Sequence, residues 1–122
     1  MAIRFVFDEH FRNIFLKAVR RHNAAGGRPL AATEVGEPAD LPRGLPDPDV
    51  LIWAEANGHI LVTFDEDTMI GHLADHLAAG RHSPGIMIVR RGFSLGAIID
   101  YLVLATYAGV PADFADRVTF VP

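Results

Sequence analysis

The chain has 122 residues, of which half are hydrophobic, and a formal net charge of −4. This length and composition predict one folded domain over residues 1–122 and exclude an intrinsically disordered chain. The absence of cysteine excludes disulfides and thiolate metal sites, and it fits a reducing cytoplasm. No apolar run approaches the roughly 18 residues of a membrane span and the N-terminus has no signal-peptide pattern, so we expect a cytoplasmic protein with no membrane partner. The negative charge argues against broad binding of nucleic acid, which depends on a surplus of lysine and arginine.

The first half of the chain begins with an apolar run over residues 3–7, which predicts a buried strand. Residues 10–23 predict a helix, because apolar side chains recur there at spacings of three and four. A short second strand is expected over 30–35. Residues 36–48 contain four prolines and predict a loop, and a loop of this length in a compact domain often serves a function.

Asp47 predicts the N-cap of a second helix, with Pro48 at its first position and Asn57-Gly58 at its end. Further elements are predicted at 59–64 (strand), 66–79 (helix), 85–89 (strand), 94–108 (helix) and 118–121 (strand). Strand and helix therefore alternate four times before a last strand. This pattern predicts an α/β fold, a three-layer α/β/α sandwich around a mostly parallel central sheet of four or five strands.

Acidic residues follow the predicted strands or begin a predicted helix. Asp8 comes after the first strand, Asp65 and Asp67 come after the third, and Asp47 and Asp49 lie at the helix start. Right-handed crossovers bring these positions to one edge of a parallel sheet, so we expect the carboxylates to converge. Carboxylate oxygens suit a hard cation such as Mg²⁺ or Mn²⁺. Each acid also has a structural interpretation as a helix cap or a first-turn charge, and this interpretation is most complete for Asp47.

These motifs together resemble the PIN-like nucleases, in particular a branch of short bacterial proteins related to the toxins of toxin–antitoxin pairs. The resemblance covers about the whole chain and rests on three segments, Phe7–His10, Asp47–Ala54 and Val62–Thr68. The chain departs from the pattern at His10, where an asparagine is usual, and at Thr68, where a phenylalanine is usual. We expect the change at Thr68 to affect packing only, whereas His10 falls beside the site.

The resemblance implies hydrolysis of a phosphodiester in RNA with Mg²⁺ or Mn²⁺. It implies a catalytic role for Asp8, Asp49, Asp65 and Asp67, and metal contact by Asp8, Asp47, Asp65 and Asp67. It leaves open whether Asp47 or Asp49 faces the metal. It also implies an antitoxin partner and a homodimer. The helix over 94–108 is apolar almost all round, which indicates burial inside the domain or at a subunit interface.

Basic residues near the acidic edge are candidates for holding a substrate phosphate. Arg90 and Arg91 follow the fourth predicted strand, and Arg12 lies one turn into the first predicted helix. Arginine binds phosphate through paired N–H groups, but an ion pair with the nearby acids is an equally good interpretation. His72 and His76 share a helix face at zinc-site spacing, yet the glutamate of the metalloprotease motif is missing, so a solvated or half-buried face is the better interpretation.

Two other functions compete with the nuclease hypothesis. A signalling receiver has a similar length and alternation, with acids after its first and third strands. It needs a serine or threonine after the fourth strand and a lysine after the fifth, whereas Arg90 follows the fourth here and no lysine lies near the last strand. A PIN-like binding module without turnover is the third possibility, and the acidic net charge and the change at Thr68 favour it.

Overall fold

Five strands and four α-helices alternate along residues 3–122, the part of the chain that a computed structural model describes. The elements in chain order are β1 (Arg4–Phe7), α1 (Ile14–Ala24), β2 (Ala31–Glu34), α2 (Asp47–Asn57), β3 (His59–Thr63), α3 (Glu66–Ala78), β4 (Ile86–Val89), α4 (Leu95–Ala108) and β5 (Val118–Val121). Two short 3-10 turns, Glu9–Phe11 and Pro111–Asp113, precede α1 and β5. The predicted alternation of strand and helix is therefore confirmed.

All five strands are parallel and lie in the order β2-β1-β3-β4-β5. In this register Phe7 of β1 lies opposite Glu34 on one side and Val62 on the other. The chain passes from β1 outward to β2 and then returns to form β3 on the other side of β1. The direction of winding therefore reverses between β1 and β3, and ligands of such sheets bind in the crevice outside the carboxyl ends of the strands at that point.

Apolar side chains from both faces of the sheet form two separate clusters. One face packs Phe5 and Phe7 against α1 and α4, and the other packs Val6 and Leu61 against α2 and α3. Because the central strands are covered on both faces, they consist of unbroken apolar runs. This arrangement confirms the α/β class and is the predicted three-layer sandwich.

The start of the first helix differs from the prediction. Residues 9–11 form a 3-10 turn, and Arg12 and Asn13 then adopt left-handed backbone conformations with φ of 50° and 67°. An α-helix cannot pass through such residues, so α1 begins only at Ile14. Arg12 therefore lies in the break between two helical segments and not inside the first helix.

The last helix, α4, is not buried from every side inside the domain, so that alternative is wrong, and burial at a subunit interface stays a prediction. Leu104 is 61% exposed and Tyr107 is 44% exposed. The opposite face of α4 packs Ile98 and Leu102 into the core. Within residues 3–122, none of the helices is long and apolar enough to cross a membrane.

Candidate active site

Thr63 joins the two loops that flank the crevice between β1 and β3. It is the last residue of β3, its side chain is buried, and its hydroxyl donates a hydrogen bond of 2.9 Å to Oδ2 of Asp8. The same hydroxyl oxygen accepts a hydrogen bond of 3.1 Å from the backbone N–H of Asp65. One buried hydroxyl therefore positions both acids that follow the strands.

Asp8 and Asp65 also cap the helical turns that they precede. Oδ1 of Asp8 accepts a bond of 3.4 Å from the backbone N–H of His10. Oδ1 of Asp65 accepts a bond of 3.3 Å from the backbone N–H of Thr68, and the Thr68 hydroxyl donates to the other oxygen. Thr68 therefore does more than pack, because it contacts an acid of the site directly.

Asp47 is the third acid at this edge, and its capping role was predicted wrongly. The N-cap of α2 is Pro46, and Asp47 lies in the first turn without a side-chain capping bond. Burial raises the pKa of Asp47, and the negative charges of Asp8 and Asp65 raise it further. The cap therefore does not explain this side chain, which instead contacts His72.

The remaining predicted acids lie further out. Asp49 shares the first turn of α2 with Asp47, but its side chain is exposed and makes no hydrogen bond or ion pair within residues 3–122. Asp67 lies in the first turn of α3, is also exposed, and lines a neighbouring cleft. The structure thus joins Asp8 and Asp65 through Thr63, leaves Asp47 half-buried where their charges raise its pKa, and leaves Asp49 and Asp67 exposed.

Glu34 is an acid at the same edge that the sequence analysis missed. It is the last residue of β2 and only 1% exposed. Oε2 accepts a bond of 2.9 Å from the backbone N–H of Asn13, while Oε1 is buried without a partner among the described residues. Burial raises the pKa of Glu34, and the hydrogen bond from Asn13 opposes that rise. The rule that selected Asp8, an acid at the end of an apolar strand, did not select Glu34, because β2 is a short, partly exposed strand at the edge of the sheet.

Two histidines contact the acids of the cluster. Nδ1 of His10 lies 3.2 Å from Oδ1 of Asp8, and Nε2 of His72 lies 3.7 Å from Oδ2 of Asp47. Both histidines lower the pKa of Asp47 and so oppose the effect of burial. His76 has a different role, because it is buried and its Nε2 lies 2.8 Å from the carbonyl oxygen of His82. The two histidines of this helix face therefore differ, because His72 contacts an acid of the site whereas His76 is buried.

A cleft of about 460 Å³ opens beside the acids, between the carboxyl ends of β3 and β4. Its polar lining includes Asp65, Asp67, Arg90 and Arg91. The guanidinium of Arg90 lies 4.7 Å from the centre of the Phe120 ring. Neither Arg90 nor Arg91 forms an ion pair with a carboxylate in the described part of the chain, so both are free to bind an anion. Arg12 does not line this cleft.

The oxygen atoms of the cluster are suitable donors for Mg²⁺ or Mn²⁺, but they do not form a complete cage. Within residues 3–122, no three histidine, aspartate or glutamate side chains form a group that could hold a metal ion. Mg²⁺ is commonly held by one or two carboxylates together with waters and substrate phosphates. The donor chemistry therefore fits a cation bound mainly through water, and the predicted convergence of Asp8, Asp65 and Asp67 on one ion stays a prediction.

Comparison of the chain with protein-family models, with curated proteins and with solved structures yields no match. The class of molecule is therefore defined by the fold and the site alone. It is a doubly wound parallel α/β domain with acids at its winding reversal and an arginine-lined cleft beside them.

Proposed function

We propose that this protein is a metal-dependent ribonuclease of the PIN-like group, which hydrolyses phosphodiesters at the edge formed by the carboxyl ends of β1 and β3. The observation that carries the proposal is the buried hydroxyl of Thr63 that positions both Asp8 and Asp65, with two unpaired arginines in the adjoining cleft. Carboxylates suit a divalent cation and arginines suit a phosphate, so the two halves of the site match the two halves of a metal–phosphate complex.

Asp8 and Asp47 are the residues that would hold Mg²⁺ or Mn²⁺, with Asp65 and Asp67 contacting its waters. When bound, the cation would lower the pKa of a coordinated water and neutralise charge on the phosphate. Thr63 orients Asp8 by donating to one carboxylate oxygen and leaves that group further lone pairs for a ligand. Arg90 and Arg91 would hold the non-bridging oxygens of the substrate phosphate.

The raised pKa of Asp47 supports a cationic ligand at this position. Its carboxylate is half-buried near two other negative groups, and part of that repulsion is offset by His72 and His10. A divalent cation would offset it more strongly, because the cation places two positive charges beside the acids. Perturbed carboxylates in a crevice are typical of functional sites.

Cleavage of a labelled RNA with Mg²⁺ or Mn²⁺ tests the proposal. We expect Asp8→Asn and Asp65→Asn to lose at least tenfold in rate, because each removes a charge that the cation needs. Asp100→Asn is the matched control, since Asp100 is an exposed aspartate on α4 outside the site. Equal rates for the wild type and the Asp8 and Asp65 variants would reject the nuclease assignment.

We further propose that the protein is the toxin of a toxin–antitoxin pair, acts on RNA in the cytoplasm, and is held by an antitoxin or a twin subunit. The resemblance to PIN-like toxins motivates this, and the exposed Leu104 and Tyr107 of α4 offer an apolar surface for a partner. Induced expression should arrest growth for the wild type but not for Asp8→Asn. Sedimentation should report a homodimer, and a monomer at all concentrations would exclude it.

Two alternatives have specific support. The order β2-β1-β3-β4-β5 is also that of signalling receivers, and a mass gain on Asp65 after treatment with a small phosphodonor would favour that function. Against it, Arg90 follows β4 and β5 carries no lysine. A PIN-like binding module without turnover is favoured by the acidic net charge and by the change at Thr68. Calorimetry that detects Mn²⁺ binding without any cleavage of RNA would favour the module.

A further inference from the structure

The cleft beside the acids contains an exposed aromatic side chain that neither the core nor the proposed chemistry uses. Phe64 follows β3 directly, lines the cleft, and is 44% exposed. A large apolar side chain left open to water loses the free energy that burial would give it. Its position between Thr63 and Asp65 places it at the centre of the proposed site.

The ring of Phe64 is held in place by other aromatic rings. The centres of the Phe64 and Phe11 rings lie 5.0 Å apart with their planes at 77°, and Phe11 itself is buried. The centre of the His10 imidazole lies 6.3 Å from that of Phe64, and His10 also lines the cleft. A ring supported on one side and open on the other is prepared for a planar ligand, because little side-chain entropy remains to be lost.

The same cleft contains two arginines, which share its lining with the three acids Asp65, Glu66 and Asp67. Arg90 packs against Phe120 and Arg91 follows it, and neither is neutralised by a carboxylate within the described residues. An aromatic platform beside free arginines is the combination that binds single-stranded nucleic acid, where bases stack and phosphates pair with guanidinium groups. Duplex RNA offers no such base, since its bases are stacked on one another.

We propose that Phe64, flanked by His10, is a stacking subsite for one unpaired base of an RNA strand whose phosphates contact Arg90 and Arg91. The inference rests on the proposed function, because it gives that site a substrate class, single-stranded RNA. The subsite lies directly beside Asp65, so a stacked base would hold the adjoining phosphate next to the acids.

The test is binding of a fluorescently labelled single-stranded RNA of about 12 nucleotides, measured by anisotropy in EDTA so that no cleavage occurs. Stacking on an aromatic side chain contributes about 1–3 kcal/mol per base, so Phe64→Ala should weaken binding by roughly 5- to 150-fold. Phe64→Trp should preserve or strengthen it, and Phe64→Leu should resemble the alanine variant because leucine has no π-face. The same RNA in a duplex should bind wild type and Phe64→Ala equally.

Val110→Ala is the control, since Val110 is 55% exposed but lies after α4, outside the cleft. It should bind the single strand as the wild type does. Undetectable binding of the single strand, or equal affinity for it in wild type and Phe64→Ala, would overturn the subsite. Cleavage with Mg²⁺ is measured separately. If binding depends on Phe64 but the RNA is never cleaved, the nuclease proposal is wrong and the subsite stands. If the RNA is cleaved but binding does not depend on Phe64, the subsite is wrong and the nuclease proposal stands.

Discussion

The Glu34→Gln variant should gain stability relative to the wild type as the pH rises from acid to neutral. The Glu34 side chain is 1% exposed, and burial raises its pKa above the ordinary value of 4.5. Between 4.5 and the folded value, the native protein holds a proton that the unfolded chain has released. The contribution of Glu34 to the stability of the wild type is therefore greatest below the pKa that this group has in the unfolded chain, and it falls as the pH rises above that value.

The size of the effect follows from one proton. The free energy of unfolding of the wild type should fall by at most about 1.4 kcal/mol per pH unit in this window. A glutamine amide has no proton to lose, and its carbonyl oxygen can still accept the N–H of Asn13. The difference between Glu34→Gln and wild type should therefore grow with pH and level off above the folded pKa.

Urea unfolding at half-unit steps from pH 4 to pH 8 measures this difference. Glu34→Leu separates the hydrogen bond from the charge, because it leaves the N–H of Asn13 without its acceptor and should cost about 1–3 kcal/mol relative to Glu34→Gln at every pH. Glu66→Gln is the matched control, since Glu66 is an exposed glutamate on α3 that does not affect the pKa of Glu34. A difference between Glu34→Gln and wild type that stays constant across the range would refute the reasoning.

Three further predictions concern the site. Asp47→Asn should weaken the binding of Mn²⁺, measured by calorimetry, at least fivefold more than Asp49→Asn does. The reason is that Asp47 is half-buried and the charges of Asp8 and Asp65 act on it, whereas Asp49 is exposed. A larger effect of Asp49→Asn would contradict this assignment. Thr63→Val should cost about 1–3 kcal/mol in urea unfolding, since the hydroxyl that joins the two loops is lost, and Thr63→Ser should restore most of it. Arg90→Ala and Arg91→Ala should each reduce the slope of log affinity for single-stranded RNA against log salt by about 0.7, and an unchanged slope would show that the arginine does not contact phosphate.

The unusual backbone before α1 has a physical explanation in the same residues. Asn13 adopts a left-handed conformation with φ of 67°, which is unfavourable for a residue with a side chain. Its N–H donates to the buried Glu34, and this bond offsets part of the cost. Glu34 thus ties the end of β2 to the start of α1, next to the turn that carries Asp8 and His10.

The sequence by itself determined the layers of this fold and the elements that carry its acids. Unbroken apolar runs such as residues 85–89 can be satisfied only by a strand covered on both faces, and a repeat of three and four residues specifies one face of a helix. Asp8 and Asp65 could be assigned to the carboxyl edge of the sheet for this reason, because each follows such a strand directly.

Only the tertiary structure decided which side chains come together. Asp47 and Asp49 share one turn and one chemical character, and only the packing of α2 shows that Asp47 is half-buried whereas Asp49 is exposed. Glu34 became visible as a buried acid because β2 lies beside β1, and Phe64 because Phe11 supports its ring. The periodicity of a sequence shows which face of one helix or strand is apolar. The distances between elements depend instead on the order of the strands and on their crossovers, and these are determined by the packing of the whole core.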